Sequence, residues 1–287
     1  MRIPQEIMKC AVFLRYQSKD GLVWAGTGFF VGAALPNQAE GRFVSYLVTA
    51  RHVIESIRSK STDHNVRVRV NLKSGKADEF IIPLDKWRHH PEEHIDLSAI
   101  CFTHLWREDM DHFFFVQRSF LDTDNKVEGY DVGPGDDVFL TGLFSRHTGT
   151  TKNLPVIRVG NIASMPIESM KLVFKDGRQG HVPVYLIESR SIGGLSGSPV
   201  FWNNVPRLEE HLGTQPVTLF LGVILGHWDE DTTAKTVVDA TKSEDRINMG
   251  MAFVLPAKHL SELLNIPQFE GERQELASSV GSASCGP

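Results

Sequence analysis

Three short segments carry side chains suited to breaking covalent bonds. Leu47-Val48-Thr49-Ala50-Arg51-His52 runs an apolar stretch into a small-residue turn that presents one histidine. Imidazole is the side chain best able to take up and release a proton near neutral pH. His94-Ile95-Asp96-Leu97-Ser98-Ala99-Ile100 sets a carboxylate at the mouth of an apolar stretch. Gly193-Gly194-Leu195-Ser196-Gly197-Ser198-Pro199-Val200-Phe201 places a serine between glycines, just before a strand. Glycine permits a tight turn there and leaves backbone N–H groups free to face a developing oxyanion. Each segment alone also reads blandly: a polar strand end, a turn carboxylate, a Gly/Ser turn.

These residues need elements to position them, and the elements read as strands. Short runs rich in Val, Phe, Ile and Leu recur at 11–15, 27–31, 43–49, 66–71, 97–102, 137–142, 156–164, 182–188, 199–202, 219–225 and 249–255. Gly, Pro, Asn and Asp separate them, which favours an all-β architecture. Helical periodicity is scarce. Residues 53–58 and 105–115 are short candidates, the second with Leu105, Trp106, Phe113 and Phe114 as its buried residues. The clearest helix spans 256–265: Ala257, Leu260, Leu263 and Leu264 share one face, and Pro256 suits a first turn. Residues 267–287 are rich in Gln, Glu, Gly and Ser and read as a flexible tail.

Composition narrows the function. The 287 residues are 41% hydrophobic and 23% charged, ordinary values for a folded protein. The net charge of −5 argues against a chain-wide nucleic-acid footprint. Arg67 and Arg69 alternate with Val66, Val68 and Val70, the pattern of one solvated strand face. Cys10, Cys101 and Cys285 are odd in number and far apart, which excludes a disulfide framework or zinc knuckle. His89-His90-Pro91-Glu92-Glu93-His94 has Pro91 between its histidines and reads as an exposed loop, so no metal is expected. No stretch approaches the ~20 apolar residues of a membrane helix, and the N-terminal apolar run is too short for a signal peptide. The expected setting is cytoplasmic and reducing, with no membrane partner.

The order His52, Asp96, Ser196 and the segments around it resemble the trypsin-like (chymotrypsin-fold) serine peptidases. Gly26-Thr27-Gly28-Phe29-Phe30-Val31 is similar to the strand that precedes the histidine, and 132–142 to the opening of the second barrel. Arg158-Val159-Gly160-Asn161-Ile162-Ala163-Ser164 is similar to that barrel's next strand. Leu221-Gly222-Val223-Ile224-Leu225-Gly226 is similar to the strand that walls the specificity pocket, and 249–256 to the strand leading into the terminal helix. The resemblance spans roughly residues 8 to 266. An α/β-hydrolase elbow is excluded, because Ser198 stands where its second glycine belongs and the chain order is reversed.

The resemblance implies two six-stranded antiparallel β-barrels with a C-terminal helix in one peptidase domain, 1–266. Barrel one would cover about 8–120 and barrel two about 132–255. It implies Ser196 as nucleophile, His52 as base and Asp96 as the group that orients it, with an oxyanion hole from the N–H groups of Gly194 and Ser196. It implies no cofactor. Phe113-Phe114-Phe115 would fill the groove between barrels. Digestive members carry an acidic residue before the serine that pairs with a freed N-terminus. Leu195 stands there, so the chain resembles bacterial-type members, the high-temperature-requirement and glutamyl endopeptidase groups. Arg190 and His227 fall in pocket-lining segments. Either would favour an acidic substrate side chain if it faces inward, but Arg190 can equally pair with Glu188, and His227 can be a plain strand-end residue. The expected partner is a protein or peptide substrate. A catalytically silent binding module, or an effector that awaits a regulatory protein, is the alternative.

Overall fold

A tight turn after β1 (Ala11–Ser18) returns the chain as β2 (Gly21–Ala34), and the two pair antiparallel. Around them lie β3 (Phe43–Thr49), β4 (Asn65–Asn71), β5 (Ala77–Pro83), β6 (Arg88–His89), β7 (Ser98–Cys101) and β8 (Phe115–Val116). The eight strands form one sheet in the order β5-β4-β1-β2-β3-β7-β6, with β8 parallel to β2. The computed structural model describes residues 3–35, 42–120, 126–127, 130–174, 177–189, 194–204, 217–231 and 246–282.

The second half holds β9 (Lys126–Val127), β10 (Tyr130–Asp131), β11 (Asp137–Gly142), β12 (Val156–Ser164), β13 (Ser169–Val173), β14 (Gln179–Pro183), β15 (Tyr185–Glu188), β16 (Pro199–Asn204), β17 (Val217–Asp231) and β18 (Arg246–Pro256). Six of these close a barrel, β11-β12-β15-β18-β17-β16. The strands β13 and β14 form a separate two-stranded hairpin, as do β9 and β10. The chain is thus mostly β, with one closed six-stranded barrel. The N-terminal strands form one eight-stranded sheet, seven of them along a single path, which the described residues do not close into a barrel. Its end strand β6 has only two residues, and among the described residues no pair joins it to β5.

Helices are few. The first, α1 (Arg51–Lys60), begins directly after β3 and buries Val53, Ile54 and Ile57. The second, α2 (Ala257–Leu264), follows β18 and buries Ala257, Leu260, Leu263 and Leu264, the face its periodicity marks out. No helix forms over 105–115. The backbone there bonds to other segments: the Lys73 N–H donates to Asp109, Asp111 to Asn71, and Phe113 to Lys9. The aromatic residues serve packing. Phe115 stacks between Phe29 of the first sheet and Phe220 of the barrel, at 5.6 and 4.8 Å.

The sequence read as a tail also departs from expectation. Residues Pro267–Ser282 form α3. Phe269 is 1% exposed and meets the Tyr46 ring at 4.9 Å. Arg273 is buried and donates to the Tyr46 hydroxyl (3.2 Å), to Asn265 Oδ1 (3.1 Å) and to the Leu264 carbonyl. One aromatic anchor and one satisfied cation dock a helix whose composition is otherwise polar. Residues 283–287 lie outside the described part.

Arg67 and Arg69 do not form a solvated face. Arg69 is 8% exposed and donates to the carbonyls of Gly149 and Thr150, at 2.9 and 2.7 Å. Arg67 donates to Asp63 at 2.6 Å. The loop after β11 covers this side of β4, so the alternation marks a boundary between two halves. No helix of the described residues is long and apolar enough to cross a membrane.

Candidate active site

β3 ends at Thr49, and buried Ala50 caps α1, so His52 sits in the first turn of that helix. Asp96 lies in the loop before β7, completely buried, between Ile95 and Leu97, which are buried too. The two meet twice. The His52 backbone N–H donates to Asp96 Oδ1 at 2.8 Å, and Nδ1 stands 2.5 Å from Oδ2. An ionised carboxylate only accepts, so Nδ1 carries the proton and Nε2 is left as the acceptor. Burial alone would raise the Asp96 carboxyl. Contact with His52, whose ring adds a charge only when protonated, and with the permanently charged Arg178 outweighs it and holds the group below its ordinary value.

Ser196 belongs to the turn between β15 and β16. Its carbonyl accepts the Thr27 N–H at 3.0 Å, which ties it to β2. Thr27 is fully buried and its hydroxyl serves both sides of the seam, donating to the Gly194 carbonyl and accepting the Leu143 N–H, each at 2.8 Å. Gly194 and Gly197 have φ of 104° and 83°, left-handed conformations that a side chain resists. Gly197 has a second reason to be glycine. A Cβ there would overlap the Thr27 carbonyl and Thr49 Oγ1 and come 3.0 Å from the Ala50 nitrogen. The turn carrying Ser196 is thereby pressed against the strand end that carries His52.

The N–H groups of this turn divide into two sets. Gly197 donates to Ile224 and Ser198 to Leu195. Among the described residues no carbonyl takes the N–H of Gly194 or Ser196. An oxyanion requires two such backbone donors close to the attacking hydroxyl. Leu195 is 1% exposed in the barrel's own core, a place for an apolar side chain and not for a charge.

Arg190 lies outside the described residues, and so does the side chain of His227, although its backbone pairs with Ala252 in β18. Sequence reasoning missed Arg178. It follows the β13–β14 turn, and its Nη2 donates to Asp96 Oδ1 at 2.7 Å. No local pattern announces it, since its partner is 82 residues away.

In the loop before Asp96, Pro91, Glu92 and Glu93 are exposed as expected, but His90 is not. His90 is 4% exposed and its Nε2 faces Glu262 at 3.2 Å, while His259 Nδ1 faces the same oxygen at 2.7 Å. These three could in principle hold a metal ion, since their ligand atoms lie within 4.8 Å of one another. His90 Nδ1, however, accepts the Glu92 N–H at 3.1 Å. That leaves the proton on Nε2, the opposite tautomer to the one metal binding there needs. The trio reads as a carboxylate with two imidazole donors.

The chain matches no family model and no curated sequence. Among solved structures it is similar to the active form of the Rv3671c protease from M. tuberculosis, with 16% identity and a TM-score of 0.46 over 90% of this chain and 80% of that one. The inactive form of the Rv3671c protease gives 17% identity and 0.43, over 90% and 88%. Likeness of this degree carries no functional information, which leaves the chemistry to the residues themselves.

Proposed function

We propose that the chain is a serine endopeptidase of the chymotrypsin type, with His52, Asp96 and Ser196 as its triad and the N-terminal sheet as the counterpart of the closed barrel. The observation that carries this reading is the grip of one buried carboxylate on both the backbone and the ring of His52. A merely structural histidine needs no such fixing of its tautomer.

In the mechanism Ser196 Oγ attacks the carbonyl carbon of the scissile peptide while its proton passes to His52 Nε2. The carbonyl oxygen becomes an oxyanion and takes the N–H groups of Gly194 and Ser196. Asp96 stays ionised and stabilises the imidazolium. His52 then gives the proton to the leaving amine, the C–N bond breaks, and an acyl-enzyme on Ser196 remains. Water, deprotonated by His52, hydrolyses it and restores the serine. Arg190 or His227, where either faces the pocket, would favour substrates with an acidic side chain before the scissile bond, and peptide-library profiling reads that preference directly.

Fluorophosphonate labelling followed by peptide mapping tests the proposal. The label should fall on Ser196, and Ser196→Ala should abolish both labelling and hydrolysis without altering the circular dichroism. Unchanged labelling of the Ala protein would remove Ser196 from the mechanism.

A further inference from the structure

The β13–β14 hairpin is joined by hydrogen bonds between its own strands and belongs to neither large sheet. Apolar side chains hold it in place. Leu172, Val182 and Val184 are buried in the same core as Ile95 and Leu97, the two neighbours of Asp96. Just past the hairpin's turn, the Arg178 side chain is 13% exposed and lies over the Phe174 ring at 4.8 Å. Its Nη1 donates to the Glu93 carbonyl at 2.9 Å and its Nη2 to Asp96 Oδ1 at 2.7 Å.

Charge balance gives these contacts a purpose. Asp96 is fully buried, and a buried carboxylate is costly without a counter-charge. His52 is neutral while it waits to accept a proton, and a neutral ring supplies a hydrogen bond but no counter-charge. Among the described residues, the charged or titratable groups acting most strongly on Asp96 are His52 from α1 and Arg178 from the hairpin. Elsewhere on α1, Arg51, Glu55 and Arg58 act on His89, and His94 pairs with Glu92. In the resting state the guanidinium is therefore the cation that matches the buried anion.

We propose that Arg178 is a positioning residue of the active site: it fixes the Asp96 carboxylate in the orientation that grips His52 and supplies its counter-charge while the imidazole is neutral. The inference rests on the protease reading and deepens it. The same cation opposes the imidazolium formed during the reaction, so its removal makes His52 easier to protonate. Arg178 thus both fixes the base and keeps it available at lower pH.

Two variants separate charge from shape. Arg178→Gln keeps a donor and loses the charge; Arg178→Lys keeps the charge and loses the fork. In Arg178→Gln the acid limb of the kcat/KM profile should move to higher pH by about half a unit or more, with kcat down roughly 10-fold and KM little changed. In Arg178→Lys the limb should stay in place. The Ser196→Ala protein should show a low-field proton resonance from His52 Nδ1–H, and adding Arg178→Gln should broaden or shift it. An unshifted limb and an unchanged resonance in a folded Arg178→Gln protein would overturn the proposal. A limb shift in Arg178→Lys would overturn it as well, even if the Gln protein fails to fold. The resonance needs no turnover, so it decides the role of Arg178 even if the chain hydrolyses no peptide bond.

Discussion

Asp96 accepts from three donors at once: the backbone N–H of His52, its ring, and the Arg178 guanidinium. Replacing it with Asn puts an NH₂ among these donors. The imidazole then accepts at Nδ1 and carries its proton on Nε2, where it cannot receive the serine proton. Asp96→Asn should therefore lower kcat by about 10³–10⁴-fold at neutral pH with the fold retained. Turnover normalised to folded protein checks this, and activity near wild type would show that the carboxylate does not orient the base. The sequence singles out His52 and Asp96 because each breaks an apolar run with one polar side chain, and Ser196 because it stands among glycines. Arg178 was not legible, because only the folded hairpin brings it to a carboxylate far away in the chain.

At the scale of elements, α3 shows what a sequence pattern hides. Its docking depends on Phe269 beneath Tyr46 and on Arg273 closing the end of α2. Removing a buried phenyl ring leaves a cavity, and Phe269→Ala should cost about 3–5 kcal/mol where the segment stays docked. A smaller loss accompanied by a fall in helical circular dichroism would show that α3 undocks first. A denaturation midpoint and helix content both equal to wild type would refute the docking. The barrel strands were readable because buried strands need unbroken Val, Ile and Leu. The helix at α2 was readable because four apolar residues repeat at its period. In contrast, β5 (Ala-Asp-Glu-Phe-Ile-Ile-Pro) lies at a sheet edge with Ile81 57% exposed, and no alternation marks it. The hairpin carrying Arg178 is half polar for the same reason.

For the whole molecule, several buried and half-buried histidines link folding to pH. Burial lowers His89, His90, His112 and His259 below the ordinary imidazole value. Each then binds a proton more readily in the unfolded chain than in the folded one. Their contribution is fully present above the unfolded value, about 6.5, and is lost as pH falls from there toward their folded values. The depressed Asp96 carboxyl acts later: its contribution persists above about 3.9 and disappears as pH falls through its lower folded value. The Tm should fall in two stages on acidification, the first beginning near pH 6.5. A Tm flat from pH 7 to 5 would contradict the histidine stage. Replacing His259 with Gln should reduce the first stage.

The division of the proposed triad between the two halves of the chain has a temporal consequence. His52 and Asp96 lie in segments that join strands of the first sheet, whereas Ser196 precedes β16 of the barrel, and that barrel closes only when β18 has paired with both β15 and β17. A ribosome makes these parts in order. The nascent chain therefore carries its base and its carboxylate long before it has a nucleophile, and it has a nucleophile before the barrel around it can close. Hydrolytic competence would arrive only after residue 256 has left the exit tunnel. If the proposed activity holds, synthesis itself would keep the growing chain inert toward the ribosome and toward its own unfinished length.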